Sequence, residues 1–358
     1  LSLHAFVHDP NLWRECVPLV QDMLGFLTGD HWTVVFRPTP RTYEPVEASA
    51  GRKPHHITAD VVCLLSGGLD SFAGAIDLLE AKQRVAFVGH QSSGGGATSR
   101  SQASVADALE STYGHDRVPY LRLFVSPPPL AGARSESSTR SRSLLFFGLA
   151  LAAASGVGAT RLVVPENGFI SLNVPFTPSR LGSLSTRTTH PHLMALLSSL
   201  LARLGVPVSL ELPYRFETKG ELLVACRNRD VLLRGLPHTV SCSHTEAGRY
   251  HGNPNLQCGR CVPCIVRRAA ILPIGPDPTA YDHRNLSVAP PKDAGTDLRV
   301  VRFGLARFGV RAPTLADVLV PGPLDAPADE LQEYLGVFSR GLDELRTLLG
   351  IPLPPRTP

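Results

Sequence analysis

The apolar run Val61-Val62-Cys63-Leu64-Leu65 breaks abruptly into Ser66-Gly67-Gly68-Leu69-Asp70-Ser71, then resumes with Phe72, Ala75, Ile76, Leu78 and Leu79. A short apolar run closed by glycines and followed by a helical period predicts strand, tight loop and helix. Two glycines let the backbone turn sharply and come close to a ligand. The unpaired N–H groups of such a loop and of the helix start form an anion site. Ser66 and Ser71 add hydroxyl donors, and Asp70 is placed either to brace the loop or to hold a metal. Open α/β sheets bind ligands at the carboxyl ends of their strands, which is where this loop falls.

The pattern is not a Walker loop, because no Gly-Lys-Ser/Thr follows at the required spacing, and it is not the dinucleotide Gly-x-Gly-x-x-Gly fingerprint. It is not a nucleophile elbow either, since Ser66 precedes both glycines. Ser-Gly-Gly-x-Asp-Ser resembles the pyrophosphate loop of the PP-loop ATP pyrophosphatases. Those enzymes split ATP between its α and β phosphates, giving AMP and pyrophosphate. The resemblance implies ATP with Mg2+, and it makes Ser66, Gly67, Gly68, Leu69 and Ser71 the cradle for the departing pyrophosphate.

Around this loop the chain alternates. Strands are expected over 61–65, 85–89, 120–125, 161–164 and 206–212, and helices over 71–81, 99–113, 141–155, 192–204 and 218–228. That alternation predicts an α/β fold, a parallel sheet covered by helices on both faces. Right-handed crossovers then gather the loops after the strands on one edge. The expected organisation is an N-terminal extension over 1–57, an ATP-binding domain over 58–240, a cysteine lobe over 241–275 and a helical extension over 276–358. The first extension reads as a helix over 13–27 and a strand over 32–36. The last is Pro-rich and then helical over 314–318 and 328–349, ending in an amphipathic stretch.

The 358 residues are 43% hydrophobic, enough for a sizeable core, and the net charge of +4 is too mild to argue for nucleic acid. No run of 18 apolar residues is present, so no membrane span is expected, and the opening residues carry no signal-peptide pattern. Seven cysteines in a chain with an ATP loop suggest a reducing cytoplasm and metal binding rather than a disulfide framework. Cys258, Cys261 and Cys264 are each separated by two residues, and fifteen residues lie between Cys242 and Cys258. Two-residue spacing lets neighbouring thiolates converge on one tetrahedral ion, so the four fit a closed structural Zn2+ site. An iron–sulfur cluster and a redox pair stay open as alternatives. Cys63 and Cys226 read as small core residues, and Cys16 carries no signal.

The pairing of the loop with Ser241-Cys242 and Cys258-Gly259-Arg260-Cys261-Val262-Pro263-Cys264-Ile265-Val266-Arg267 resembles the QueC family, the 7-cyano-7-deazaguanine synthases. Gly89-His90-Gln91 falls where that family contacts nucleotide. Arg140-Ser141-Arg142 falls at its Arg-containing, ATP-contacting segment, and Phe216-Glu217-Thr218-Lys219-Gly220-Glu221 is similar to its late Lys-Glu segment. The resemblance covers roughly residues 60–270. The chain departs from it in the longer Cys242–Cys258 gap, in the segments 166–173 and 180–191, and in both extensions. These departures are similar to the QueC-like proteins of bacterial antiphage operons, the QatC branch of the Qat system and the QueC-like members of CBASS systems.

The resemblance implies that a 7-deazaguanine carboxylate is adenylated and passed to an amine, which in the defence branch is expected on a partner protein. A carboxylate is a poor acyl donor until AMP becomes its leaving group, and cations must neutralise the charge that grows on the phosphates. Asp70, Lys219 and Arg140 are the candidate catalytic residues, with Arg142 a further phosphate clamp and His90 and Gln91 nucleotide contacts. Glu166 and Asn167, after the fourth core strand, and Arg180, Arg187 and His190 are candidates for the substrate. Each has a plainer reading: Glu166 as a helix-capping acid, the cations as solvated charges, Thr189-His190-Pro191 as a helix start, and Arg267 as packing for the cysteine lobe. Three rival functions stand beside this one. Housekeeping nitrile synthesis for queuosine differs in the acceptor, ammonia with a second ATP. A scaffold subunit without catalysis is disfavoured by the intact loop. A tRNA thiolase is disfavoured because no cysteine pair is evident outside the metal cluster.

Overall fold

The computed structural model describes residues 1–40, 56–91, 96–125, 142–177, 187–245, 248, 253 and 255–353. The chain opens with β1 (Ser2–Val7), α1 (Pro10–Glu15), α2 (Val17–Thr28) and β2 (Thr33–Pro38). The two strands pair in parallel, from Ser2 opposite Thr33 to Val7 opposite Pro38. The single helix expected over 13–27 is therefore two. Pro18 cannot sit in a helix interior, because its ring would meet the carbonyl a turn earlier, so the helix restarts with Pro18 in its first turn. β1 was not foreseen; its Leu3, Ala5 and Val7 alternate too briefly to stand out.

The main sheet is built from β3 (Val61–Leu64) outward. It is followed by α3 (Leu69–Glu80), β4 (Val85–Gln91), α4 (Ala97–Tyr113), β5 (Tyr120–Phe124), α5 (Arg142–Val157) and β6 (Arg161–Val163). The short α6 (Gly168–Leu172) precedes α7 (Pro191–Arg203) and β7 (Ser209–Glu211). Five strands lie in the order β5-β4-β3-β6-β7, every pairing parallel. Successive side chains of a strand face opposite layers. Val61, Cys63 and Leu65 accordingly join a core with Phe72, Ile76 and Leu109, while Val62 joins another with Phe147, Leu193 and Leu197. A strand buried on both faces is the reading that its unbroken apolar run required.

The chain steps from β3 to β4 to β5 and then returns across β3 to place β6 on its other side. That reversal opens a crevice at the carboxyl ends of β3 and β6, where the two crossovers part to opposite faces.

Beyond the sheet run α8 (Lys219–Ala225), α9 (Arg229–Gly235), α10 (Val262–Ile271), α11 (Thr296–Val310), α12 (Leu315–Leu319) and α13 (Ala328–Leu349). The helix expected over 218–228 stops at Ala225, where Cys226 turns extended, and α9 starts anew with Asn228 as its cap. The strand expected over 206–212 is only Ser209–Glu211, and α6, α9, α10 and α11 were not foreseen. A third core joins Phe169 and Leu172 of α6, Ile265 of α10, Leu298 and Leu305 of α11, and Val337, Phe338 and Leu342 of α13. No described helix is long and apolar enough to cross a membrane.

Gly168 is where the sheet edge and this third core are pressed together. Its N–H donates to the carbonyls of Tyr214 (3.0 Å) and Glu217 (2.8 Å). A Cβ there would stand 2.1 Å from the Arg215 carbonyl oxygen, which is backbone and cannot step aside. Gly168→Ala should cost about 2–4 kcal/mol by overpacking. The control is Gly156→Ala, in α5 with nothing within 4 Å of the added methyl; it should be neutral or stabilising by up to about 1 kcal/mol. Denaturant unfolding of both variants checks the pair.

Candidate functional site

The loop after β3 turns at Gly67, whose φ of +83° lies in the left-handed region. A side chain there would also meet Ser101 Oγ at 2.8 Å and the Gln102 amide nitrogen at 3.0 Å, so the position needs glycine twice over. The loop is closed from within. Ser66 N–H donates to Ser71 Oγ (3.2 Å), the Ser71 hydroxyl donates to the Gly68 carbonyl (3.0 Å), and Gly68 N–H donates to Ser66 Oγ (3.3 Å). From outside, Val240 N–H and the Ser101 hydroxyl donate to the Gly67 carbonyl at 3.0 and 2.7 Å. The first bond of α3 runs from Phe72 N–H to the Gly68 carbonyl. The N–H groups of Leu69, Asp70 and Ser71 precede it, at the positive end of the helix, so the chain offers an anion a row of backbone donors. Ser66, Gly68, Leu69, Asp70 and Ser71 line a cavity of about 490 Å³ in the sheet's crevice; Gly67 shapes the turn without lining it.

Three loops converge at its floor. Asp70 opens α3, Glu166 and Asn167 follow β6, and Lys219 opens α8. Lys219 Nζ donates to Asp70 Oδ1, and both side chains are more than nine-tenths buried. Asn167 Nδ2 donates to Asp70 Oδ2 (2.6 Å), and Asn167 Oδ1 caps α6 through Ile170 N–H (3.0 Å). Burial alone would raise the Asp70 carboxyl, but the Lys219 charge and hydrogen bonds from Glu166, Lys219 and Asn167 outweigh it and hold it low. Glu166 goes the other way. Burial first, and the Asp70 charge second, push it well above the usual carboxylate range. The floor thus sets an aspartate held low beside a glutamic acid pushed up and the Lys219 ammonium. Both Asp70 oxygens are engaged, one by Lys219 and one by Asn167, so the set does not present the open carboxylate oxygens a Mg2+ site needs. Of the two roles open to Asp70, the geometry is that of a brace.

The lining also has an apolar part, with Val88, Phe146, Phe147 and Leu149, and it carries unpaired polar atoms. His90 Nε2 donates to the Val125 carbonyl (2.8 Å), leaving Nδ1 a buried acceptor without a partner among the described residues. Gln102 donates Nε2–H to the His90 carbonyl (3.1 Å), and its Oε1 is likewise unpartnered, as is Ser143 Oγ. Arg142 also lines the cavity, its guanidinium 5.3 Å from the centre of the Phe146 ring. Gln91 ends β4 outside the lining, and Arg140 and Arg180 lie outside the described residues.

Two candidates turn elsewhere. The Arg187 guanidinium stands 4.9 Å over the Phe26 ring and donates to the Phe26 carbonyl (3.1 Å). His190 is fully buried, its ring 5.0 Å from Phe26, and its Nδ1 accepts from His192 N–H (3.2 Å) at the start of α7. Burial, aided by His192 and Arg187, lowers its pKa to about 3, so the ring stays a neutral acceptor. The helix-start reading of Thr189-His190-Pro191 holds, and both residues fasten α2 to α7 instead of reaching ligand. Thr188 and Thr189 face the cavity in their place.

Sequence reasoning missed Gln102, Ser143 and Phe146. The one available signal was Gln102 itself, a polar residue in the buried stripe of α4 with Val105, Ala106 and Leu109.

The sulfurs of Cys242, Cys258, Cys261 and Cys264 all lie within 4.8 Å of one another, with 3.9 Å between Cys258 and Cys264. A metal with four thiolates at about 2.3 Å sets its sulfurs about 3.8 Å apart, so the set fits an ion such as zinc. The N–H groups of His244 and Cys258 donate to Cys242 Sγ at 3.2 and 3.3 Å, and that of Cys261 to Cys258 Sγ at 3.3 Å, the donors a thiolate needs. Arg267, fully buried, is the lobe's strut. It donates to Thr239 Oγ1 (2.8 Å), Thr279 Oγ1 (3.0 Å) and the Leu236 carbonyl (2.9 Å), fixing the strand of chain that leads to Cys242. Ser241, Cys242 and Pro263 form one wall of the cavity.

No family model matches the chain, and no curated protein matches it.

Purified protein should carry one metal ion per chain, lost in a Cys258→Ser, Cys261→Ser double variant; elemental analysis identifies the ion, and absorbance near 400 nm would mark an iron–sulfur cluster instead. The floor also sets a pH dependence. With its pKa raised, folded Glu166 holds a proton that the unfolded chain releases above about pH 4.3. The folded state therefore loses stability from this group as pH rises, and Glu166→Gln removes that loss. Melting curves of Glu166→Gln and the parent should coincide near pH 4 and separate in the variant's favour toward pH 8.

Proposed function

We propose that this chain is an ATP-dependent, carboxylate-activating enzyme of the QueC-like type. It forms an acyl-adenylate from a 7-deazaguanine carboxylate, releases pyrophosphate and passes the acyl group to an amine, in the defence-associated case on a partner protein. The observation that carries this reading is one cavity whose lining combines an anion-binding helix start, a buried lysine, apolar side chains and unpaired acceptors. A nucleotide needs the same combination.

The residues divide the work by their chemistry. The substrate carboxylate oxygen attacks the α-phosphorus of ATP, and the bond to the β-phosphate oxygen breaks. Charge then grows on the leaving pyrophosphate, facing the N–H groups of Leu69, Asp70 and Ser71 and the Lys219 ammonium. The amine next attacks the acyl carbon, AMP leaves with the electron pair of the C–O bond, and the amine proton passes to solvent. Asp70 keeps Lys219 charged and aimed. Glu166 has committed its proton to Asp70, so its remaining oxygen accepts from an N–H edge such as that of deazaguanine. His90 Nδ1 and Gln102 Oε1 are two acceptors for an exocyclic amine, which adenine presents and the O6 edge of guanine does not. Arg142 lies at the cavity wall as a further cation for phosphate. A zinc ion in the cysteine set would supply cross-linking, not catalysis, since four thiolates leave no open position.

The test is release of AMP and pyrophosphate from ATP, with and without 7-carboxy-7-deazaguanine, followed by mass spectrometry of the products. Acid-dependent release without nitrile, even in abundant ammonia, is expected; clean nitrile would return the housekeeping reaction. Release independent of the acid, or none with ATP bound, would overturn the substrate. Lys219→Ala should lower the rate about 100- to 1,000-fold, as loss of one preorganised transition-state donor does elsewhere.

A further inference from the structure

Lys219 reaches the cavity from the first turn of α8, and α13 grips that turn along one face. Arg215 pairs with Glu330 (3.2 Å), the Phe216 ring lies 4.9 Å from Tyr334, and Arg340 donates to Glu221 Oε1 (2.5 Å) and the Phe216 carbonyl (2.8 Å). One turn further along α13, Glu344 meets the residues on either side of the lysine. The Thr218 hydroxyl donates to Glu344 Oε1, and Gly220 N–H donates to the same carboxylate. A Cβ on Gly220 would stand 2.4 Å from Glu344 Oε1, so glycine is what lets the carboxylate come so close. Thr218 already caps α8 reciprocally with Glu221, through bonds of 3.1 and 2.8 Å. The capping box takes the Glu221 N–H and leaves the Gly220 N–H to Glu344, so this acid both completes the helix start and ties it to α13.

That acid sits on the turn whose Lys219 lines the cavity and spans to Asp70. We propose that Glu344 is a positioning residue: by fixing Thr218 and Gly220 it sets the reach of the Lys219 ammonium into the cavity. It does not itself line the cavity, so it acts there through Lys219. The C-terminal helix thereby belongs to the active centre and is more than a cover for it. The part of this inference that concerns catalysis rests on the function proposed above; the part that concerns lysine position does not.

The chain has only four lysines, Lys53, Lys82, Lys219 and Lys292, so acylation with an amine-reactive reagent can be followed residue by residue by mass spectrometry. In the parent, buried Lys219 should react slowest. Glu344→Ala should raise its acylation rate at least about five-fold by loosening the turn, leaving Lys82 and Lys292 unchanged. Glu344→Gln retains an acceptor oxygen and should stay near the parent rate. In pyrophosphate release, Glu344→Ala should lower kcat about ten-fold with KM within about two-fold, and it should cost nothing further in a Lys219→Ala background. A parental Lys219 labelling rate in Glu344→Ala, or a loss that multiplies that of Lys219→Ala, overturns the proposal. If the parent releases no pyrophosphate, the functional reading falls while the labelling still decides the lysine's position. If Glu344→Ala does not fold, Glu344→Asp shortens the side chain away from Thr218 and Gly220, leaves the Thr218 cap in place and is read the same way.

Discussion

A buried ammonium has to find a counter-charge, and Lys219 finds it in Asp70, 149 residues away along the chain. Breaking such a pair by removing one partner costs about 3–5 kcal/mol, because the survivor is left charged and unsolvated. The pair therefore pins the start of α3 to the start of α8. Asn167 extends the constraint to the loop after β6, since one side chain both donates to Asp70 and caps α6. Lysine suits the place better than arginine. Its charge is compact and takes one carboxylate oxygen, which leaves the other for Asn167, whereas a guanidinium fork favours both oxygens of one partner. In a chain whose 35 basic residues include only four lysines, one lies here.

The sheet makes this convergence possible. Because β3 is central and β6 enters on the side opposite β4, the loops after β3 and β6 leave toward different faces and open a gap between them. The gap is roofed from two directions. The cysteine lobe brings Ser241 and Cys242 to one wall, held through Arg267, while α13 presses on α6 and on the turn before Lys219 through Val337, Phe338 and Gly341. Gly341 allows the Phe169 ring to sit against the helix axis; an added methyl would meet that ring at 2.1 Å. The two later parts of the chain thus shape the cavity that the earlier part only begins.

What was legible in the sequence was what depends on neighbours along the chain. The apolar run, the glycine break and the period of α3 all lie within twenty residues, and the parallel sheet followed from strands alternating with helices. The cysteine spacing likewise put three of its four ligands within seven residues. What failed depends on where a side chain points. Arg187 and His190 sit in a polar loop near the site, but Phe26 offered an aromatic face and a carbonyl from a unit whose packing no local pattern shows. The apolar part of the cavity was missed for a related reason. Gln102 and Ser143 matter because their partners are missing, and an unpaired acceptor is visible only once every neighbour has been placed. Lys219 was found through a motif, while Glu344, on an exposed-looking amphipathic helix, carried no signal at all.

The protonation of the floor bears on how an anion could enter. Asp70 and Lys219 offset one another and Glu166 is pushed toward its neutral form, so the floor itself adds little net charge and Arg142 is left as the cation of the lining. A second ionised carboxylate beside Asp70 would repel phosphate where the helix start attracts it, and burial removes that repulsion by keeping the proton on Glu166. Under the proposed function, a polyphosphate at the α3 N-terminus would compete with Asp70 for the same ammonium. The competition is close to even in charge, because Lys219 gives up part of one anion to meet another, and Asn167 remains to satisfy Asp70 as it does so. An ion pair that is satisfied before binding and divisible during it keeps a buried lysine charged in both states, which a lysine standing alone in the same apolar surroundings could not do.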